Sequence, residues 1–163
     1  MRNRAPVPGW RPPSAGERKR ILDRTRSIAI VGASSNPSRA SYFVATYLMG
    51  SSADYTVYLV NPRENEILGR PVYPSLSDLP ETPDMVDVFR RPDDLPPIAT
   101  DAVEVGATCF WTQLGLWSPE AAQIATEGGL DVVMDRCTKI EHARFAGGLH
   151  LAGFDTGVID SRR

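Results

Sequence analysis

Two cysteines in 163 residues, Cys109 and Cys137, are too few for the disulfide framework that small secreted domains rely on. Reduced thiols in a cytoplasmic protein are therefore expected. Histidine is equally sparse. His142 and His150 show no zinc-type spacing with the two cysteines, so no metal site is expected. Neither histidine has an evident nucleophile or acidic partner, and both read as exposed or structural. No stretch approaches the ~18–20 apolar residues of a membrane span, and no apolar run follows the N-terminal arginines as a secretory signal would require. Two phosphate-loop signatures are also missing. Gly-x-Gly-x-x-Gly is reduced to Gly32 alone, and Asn61, which has no carboxylate for a ribose diol, follows the second predicted strand. Both features disfavour NAD. A loop ending in Gly-Lys-Ser/Thr is absent as well, which argues against ATP hydrolysis by that route.

What is present suffices for one core. Hydrophobic residues make up 42% of the chain and the net charge is only −2, against the signature of a disordered chain. A chain of roughly 150 residues buries about 68–70% of its unfolded surface, so a single domain is the default. The mild charge hides an asymmetry: residues 1–26 carry eight basic and two acidic groups, the remainder ten basic and eighteen acidic. No aromatic or Gly-rich pattern accompanies the basic run, so residues 1–13 read as an extended or disordered solvated leader and nucleic acid is not an expected partner.

Beyond the leader, strand-like and helix-like segments alternate. Ser14 and Glu17 have capping-box spacing ahead of a short helix toward Thr25. Ser27 to Val31 is a short apolar run ending at Gly32, and Asn36-Pro37-Ser38 offers a cap and an early-helix proline before a face of Ala40, Phe43, Val44, Tyr47 and Leu48. Further strands are predicted at Tyr55 to Val60, Met85 to Phe89, Ala107 to Thr112 and Leu130 to Met134, with a short extended piece at Pro71 to Pro74. Helices are predicted around Leu95 to Val103, from Ser118 to the Gly128-Gly129 stop, and from near Cys137. This alternation predicts a doubly wound, mainly parallel five-stranded α/β sheet with helices on both faces, spanning 14–145 and followed by a Gly-rich tail over 146–163.

Open sheets of this kind bind ligands outside the carboxyl ends of their strands, where the strand order reverses. That rule selects Gly32-Ala-Ser-Ser-Asn-Pro-Ser-Arg39, Asn61-Pro62-Arg63, Arg90-Arg91, Gln113-Leu114-Gly115 and Asp135-Arg136-Cys137. Each segment alone could be an ordinary turn or a solvated pair. Several of them carry arginine, and their convergence at one edge predicts an anionic ligand. Gly32 permits a tight turn close to a phosphate, with Ser34 and Ser35 supplying donors near a helix N-terminus.

These segments, together with Ile67-Leu-Gly-Arg70, Asp87-Val-Phe-Arg-Arg91, Trp111-Thr-Gln-Leu-Gly115 and Val133-Met-Asp-Arg-Cys137, resemble the bacterial single-domain CoA-binding proteins. Those are similar to the N-terminal domain of the succinyl-CoA synthetase α-subunit, and the resemblance covers roughly residues 20 to 145. It implies a Rossmann-like domain that takes coenzyme A or acyl-CoA. Gly32, Ala33, Ser34, Ser35 and Pro37 with Arg39 would face the pyrophosphate. Asn61, Pro62 and Arg63 would border the adenosine and its 3′-phosphate, whose charge near −2 suits an arginine. Phe89, Arg90, Arg91, Gln113, Leu114 and Gly115 would line the pantetheine arm, and Cys137 would lie near the sulfur end. A helix N-terminus and Arg136 would favour the Cys137 thiolate, but the leading reading is a half-buried thiol that merely contacts the ligand. Non-catalytic ligand binding is the leading expectation, since nothing matches the synthetase's histidine-bearing domain. A thiol-dependent redox or acyl-transfer enzyme using Cys137, and a different nucleotide-binding regulatory module, are the alternatives.

Overall fold

Six parallel strands align so that their carboxyl ends fall along one edge, and the loops at this edge are positioned by that alignment. The computed structural model describes residues 4–51 and 54–146. Its strands are β1 (Ser27–Val31), β2 (Thr56–Val60), β3 (Glu66–Ile67), β4 (Arg70–Tyr73), β5 (Met85–Val88), β6 (Cys109–Thr112) and β7 (Asp131–Val133). Five α-helices intervene: α1 (Ala15–Arg24), α2 (Ala40–Gly50), α3 (Leu95–Val105), α4 (Pro119–Glu127) and α5 (Thr138–Ala146). The sheet order is β3-β4-β2-β1-β5-β6-β7, parallel throughout except for β3, which runs antiparallel to β4.

The expected α/β architecture holds, but the sheet has seven strands instead of five. The extended piece at Pro71 joins the sheet as β4, parallel to β2, and β3 folds back on it. Leu68 and Gly69, both with positive φ (55° and 72°), make the two-residue turn between them. A two-residue strand is too short to leave a periodicity in the sequence.

One face of the sheet packs Ala29, Val86, Val88, Phe110 and Val132 against Leu95, Ala99 and Ala102 of α3 and Ala121, Ala122 and Ala125 of α4. The other packs Ile28, Ile30, Leu59, Met85 and Trp111 against α1, α2 and α5. Alanine dominates the α3–α4 contact, which lets these helices approach the sheet closely. The N-terminal residues also touch this body. Val7 is buried, and the Trp10 indole donates to the Val132 carbonyl at 3.0 Å, occupying an acceptor on the edge strand β7.

Local signals behave as their chemistry dictates. Ser14 and Glu17 form the reciprocal capping box of α1, and Ser118 caps α4. Asn36 behaves differently. Its Oδ1 accepts from the Ser38 amide (3.0 Å) and hydroxyl (2.8 Å), closing a turn, and α2 starts only at Ala40. α1 and α5 are joined by a buried ion pair, Arg18 Nε to Glu141 Oε1 at 2.5 Å, with Arg136 Nη1 3.8 Å from the second oxygen. Arg18 also donates to the Pro13 carbonyl at 2.8 Å. The Gly-rich tail expected over residues 146–163 lies, apart from Ala146, outside the described residues, as does His150.

Arg18→Ala strands the Glu141 carboxylate in the interior, so equilibrium urea unfolding is expected to show a loss of about 3 kcal/mol. A loss below about 1 kcal/mol, the value of an exposed pair, would show that Arg136 alone satisfies Glu141.

Candidate functional site

Strand register places the sequence-selected loops side by side. Val31 pairs with both Val60 and Val88, Val88 with Thr112, and Trp111 with Val133. Extending the register by one residue, and by two past Val133, puts Asn61, Gly32, Phe89, Gln113 and Asp135 in one row of five across the sheet edge. At about 4.8 Å per strand this row spans about 19 Å. The chain reverses its direction of growth between β1 and β5, so the crevice lies there.

Gly32 is required by backbone contact. Its φ is 90°, and a Cβ would lie 2.6 Å from the Phe89 carbonyl oxygen and 2.9 Å from Arg90 Cδ. The Gly32 and Ala33 amides both donate to the Val60 carbonyl (2.9 and 3.3 Å), so neither is free for a ligand. Asn61 ties the second loop to the first. Its Nδ2 donates to the Ala33 carbonyl at 2.7 Å, and its Oδ1 accepts from the Arg63 amide at 2.8 Å. Ser34 Oγ accepts from the Asn36 amide at 3.1 Å, and the Ser35 amide donates to Glu64 Oε2 at 2.8 Å. Because Asn36 closes the preceding turn, α2 begins with Arg39 at its N-cap, no capping side chain and no acid in its first turn. This leaves a positive helix end at the crevice.

The arginines divide into two groups. Arg39 and Arg63 are exposed and have no ion-pair partner among the described residues. Arg90 and Arg91 both approach Asp94 Oδ2, at 3.3 and 3.6 Å, which neutralises part of their charge. Beside them is a cavity of about 240 Å³ lined by Gly32, Pro62, Pro74, Leu76, Arg90 and Ile98, among others. Its apolar walls come from β-strand ends and from α3, two regions far apart in sequence.

On the other side of the crevice, donors are spent internally. Gln113 is buried, and its Nε2 donates to Asp87 Oδ1 (2.6 Å) and Thr138 Oγ1 (3.2 Å), while Thr138 donates to Asp87 Oδ2 (2.8 Å). Asp87 has no solvent exposure. Burial pushes its pKa up to about 7, against hydrogen bonds from Thr138 and Gln113 that favour the anion. Sequence reasoning did not select Asp87, although a carboxylate inside the apolar run Met85 to Phe89 was the available signal. The Gly115 amide, with φ 86° at that residue, donates to Asp135 Oδ1 at 2.6 Å. Asp135 itself has φ 60° and pairs with Arg4. Leu114 is the exposed side chain of this loop, and Phe89 is half-buried against the α2–α5 side of the core.

Cys137 lies just before α5 and is buried, which goes with a plain thiol and not with a favoured thiolate. Desolvation raises its pKa and outweighs the hydrogen bonds from the Ile140 and Lys139 amides. Arg136 extends toward Glu141. His142 bonds through Nδ1 to the Tyr47 hydroxyl at 2.9 Å and lines a pocket with Thr25, Arg26 and Tyr55, at the opposite edge of the sheet. No group of three metal-ligating side chains occurs among the described residues, and none of their helices is long and apolar enough to cross a membrane.

Known proteins resemble this chain in sequence and fold. The family model of the CoA binding domain matches residues 26–143. The uncharacterized protein YneT of Bacillus subtilis (strain 168) is 41% identical over 131 residues, covering 80% of this chain and 96% of its own. A solved structure of a hypothetical protein from Pyrococcus horikoshii OT3 superposes with a TM-score of 0.79 at 37% identity, covering 90% of this chain and 100% of that one. The apo form of dinucleotide-forming acetyl-coenzyme A synthetase 1 from Ca. Korarchaeum cryptofilum is similar over 70% of this chain and 26% of its own, with a TM-score of 0.58 and 25% identity.

Two predictions come from these buried groups. The folded-state pKa of Asp87 exceeds its unfolded value, so between roughly pH 4 and 7 the folded chain holds a proton that the unfolded chain has released. Stability is lost as pH rises through that window, by at most about 1.4 kcal/mol per unit. Urea unfolding of Asp87→Asn across the same range should lack this component, and an unchanged pH slope would assign it elsewhere. Cys137 in the native protein should react with iodoacetamide at pH 8 at least about tenfold more slowly than free cysteine. Mass spectrometry of timed samples reads the rate, and equal rates would contradict the burial argument.

Proposed function

The chain belongs to the CoA binding domain family, and on that premise we propose that it binds coenzyme A or an acyl-CoA as a cytoplasmic ligand without turning it over. The observation that carries this reading is the uncapped N-terminus of α2 at the reversal between β1 and β5. An open helix end stabilises an anion by about 0.3–1 kcal/mol when exposed and up to about 2 kcal/mol when partly buried. Arg39 and Arg63, which have no ion-pair partner among the described residues, flank the same edge.

In this reading the pyrophosphate lies at the α2 end, near Ser34, Ser35, Pro37 and Arg39. The adenine enters the cavity between Pro62, Pro74 and Ile98, whose apolar side chains suit a base. Arg63 meets the 3′-phosphate, beside Asn61 and Pro62. The pantetheine arm then crosses Phe89, Arg90 and Arg91 toward Gln113, Leu114 and Gly115, and its sulfur approaches Cys137. Leu114 offers apolar contact there, since the Gln113 Nε2 and Gly115 N–H donors are already committed. Binding without chemistry is supported by the raised pKa of the Cys137 thiol and by the engagement of His142 with Tyr47, away from the crevice.

Titration calorimetry tests the proposal. CoA is expected to bind with measurable heat, NADP to give none, and 3′-dephospho-CoA to bind about tenfold more weakly, the worth of one charge-assisted phosphate contact. Arg63→Ala should lose a similar factor for CoA and leave 3′-dephospho-CoA unchanged. Absence of heat with CoA from folded protein rejects the reading.

A further inference from the structure

The carboxylate of Glu64 stands on a donor of the proposed phosphate-binding loop. Most amides of that loop are consumed close by: Gly32 and Ala33 bond to Val60, Asn36 to Ser34 Oγ, Ser38 to Asn36 Oδ1 and Arg39 to the Asn36 carbonyl. The exposed Ser35 amide differs, because its acceptor is an acidic side chain from another loop, Glu64 Oε2 at 2.8 Å. Glu64 adjoins Arg63 in sequence, yet makes no ion pair with it or with any other cation among the described residues. A carboxylate next in sequence to Arg63, which has no ion-pair partner among the described residues, is thus spent on a backbone N–H. Local turn chemistry does not require this, since the loop's own turns close through Ser34 and Asn36.

A carboxylate and a phosphoryl group ask the same of an amide: both are anionic oxygen acceptors for a charge-assisted hydrogen bond. They cannot share one N–H at full strength, and at that separation their charges repel. The Asn61 bond to the Ala33 carbonyl and the Gly32 and Ala33 bonds to Val60 hold the two loops together independently of Glu64. Glu64 can therefore leave Ser35 without the loops parting.

We propose that Glu64 is an internal stand-in for ligand phosphate: its carboxylate holds the Ser35 amide, and a phosphoryl oxygen of the ligand must displace it to take that donor. This rests on the reading that the crevice accepts a CoA phosphate, and it deepens that reading by assigning a residue that weakens binding. Such a residue sets affinity below the maximum the loops could reach and speeds ligand release.

The test compares wild-type protein with Glu64→Gln, which keeps the size and an acceptor for Ser35 but removes the charge. Circular dichroism and the thermal midpoint confirm that both are folded. In calorimetry, Glu64→Gln is expected to bind CoA about three- to tenfold more tightly, in line with the loss of one modest charge interaction. The same gain with 3′-dephospho-CoA identifies the pyrophosphate as the displacing group, and a gain confined to CoA identifies the 3′-phosphate. Equal or weaker CoA binding by the variant overturns the proposal. Should neither protein bind CoA, the functional reading fails separately, and inorganic pyrophosphate then decides the role of Glu64. Followed by the Ser35 amide resonance in ¹⁵N–¹H spectra, saturation at several-fold lower pyrophosphate in Glu64→Gln supports it, and identical titrations refute it.

Discussion

The backbone of β1 meets that of β5 so closely at Gly32 that a Cβ atom there would lie 2.6 Å from the Phe89 carbonyl oxygen. This contact ties the two strands together at the point where the sheet changes its direction of growth. Beside it the Phe89 amide donates to the Val31 carbonyl at 2.8 Å, and the crevice lies at this reversal. A left-handed φ and a missing side chain are both needed at this position, so glycine is required without any appeal to a ligand. The same residue lines the cavity beside Pro62 and Ile98. Structure and proposed function therefore make a common demand on one atom.

The two halves of the crevice treat their polar groups in opposite ways. Around β5, β6 and α5, donors and acceptors satisfy one another: Asp87 accepts from Gln113 and Thr138, and Asp135 accepts from Gly115. A buried carboxylate with two donors fixes the ends of β5 and β6 against the first residue of α5, and its desolvation cost is offset by those bonds. Around β1 and β2 the loops are pinned by Asn61, while Arg39, Arg63 and the start of α2 keep their charge facing outward. The first half acts as a rigid wall. Electrostatic attraction for an anion is concentrated in the second.

Much of this was legible from residue order. The capping box at Ser14 and Glu17, the Ser118 cap and the strand runs are local signals, and they predicted α1, α4 and five of the seven strands. Because parallel strands must point one way, the same signals also placed the candidate loops at one edge. β3 escaped notice because two residues carry no period, and the helix start assigned to Asn36 was misplaced because its side chain closes a turn instead. Cys137 shows the difference in physical terms. A helix N-terminus and a neighbouring Arg136 argue for a thiolate, but burial dominates and Arg136 reaches Glu141.

The sequence by itself thus determined the architecture and which loops meet at one sheet edge, because periodicity, caps and connection lengths act over a few residues. Only the tertiary structure decided which groups at that edge are free. Gln113 is spent on Asp87, Gly115 on Asp135, the Ser35 amide on Glu64, and Arg90 with Arg91 on Asp94, whereas Arg39 and Arg63 are left unpaired. Most of these acceptors lie twenty or more residues from their donors in the chain, and a hydrogen bond depends on a separation of about 3 Å in space.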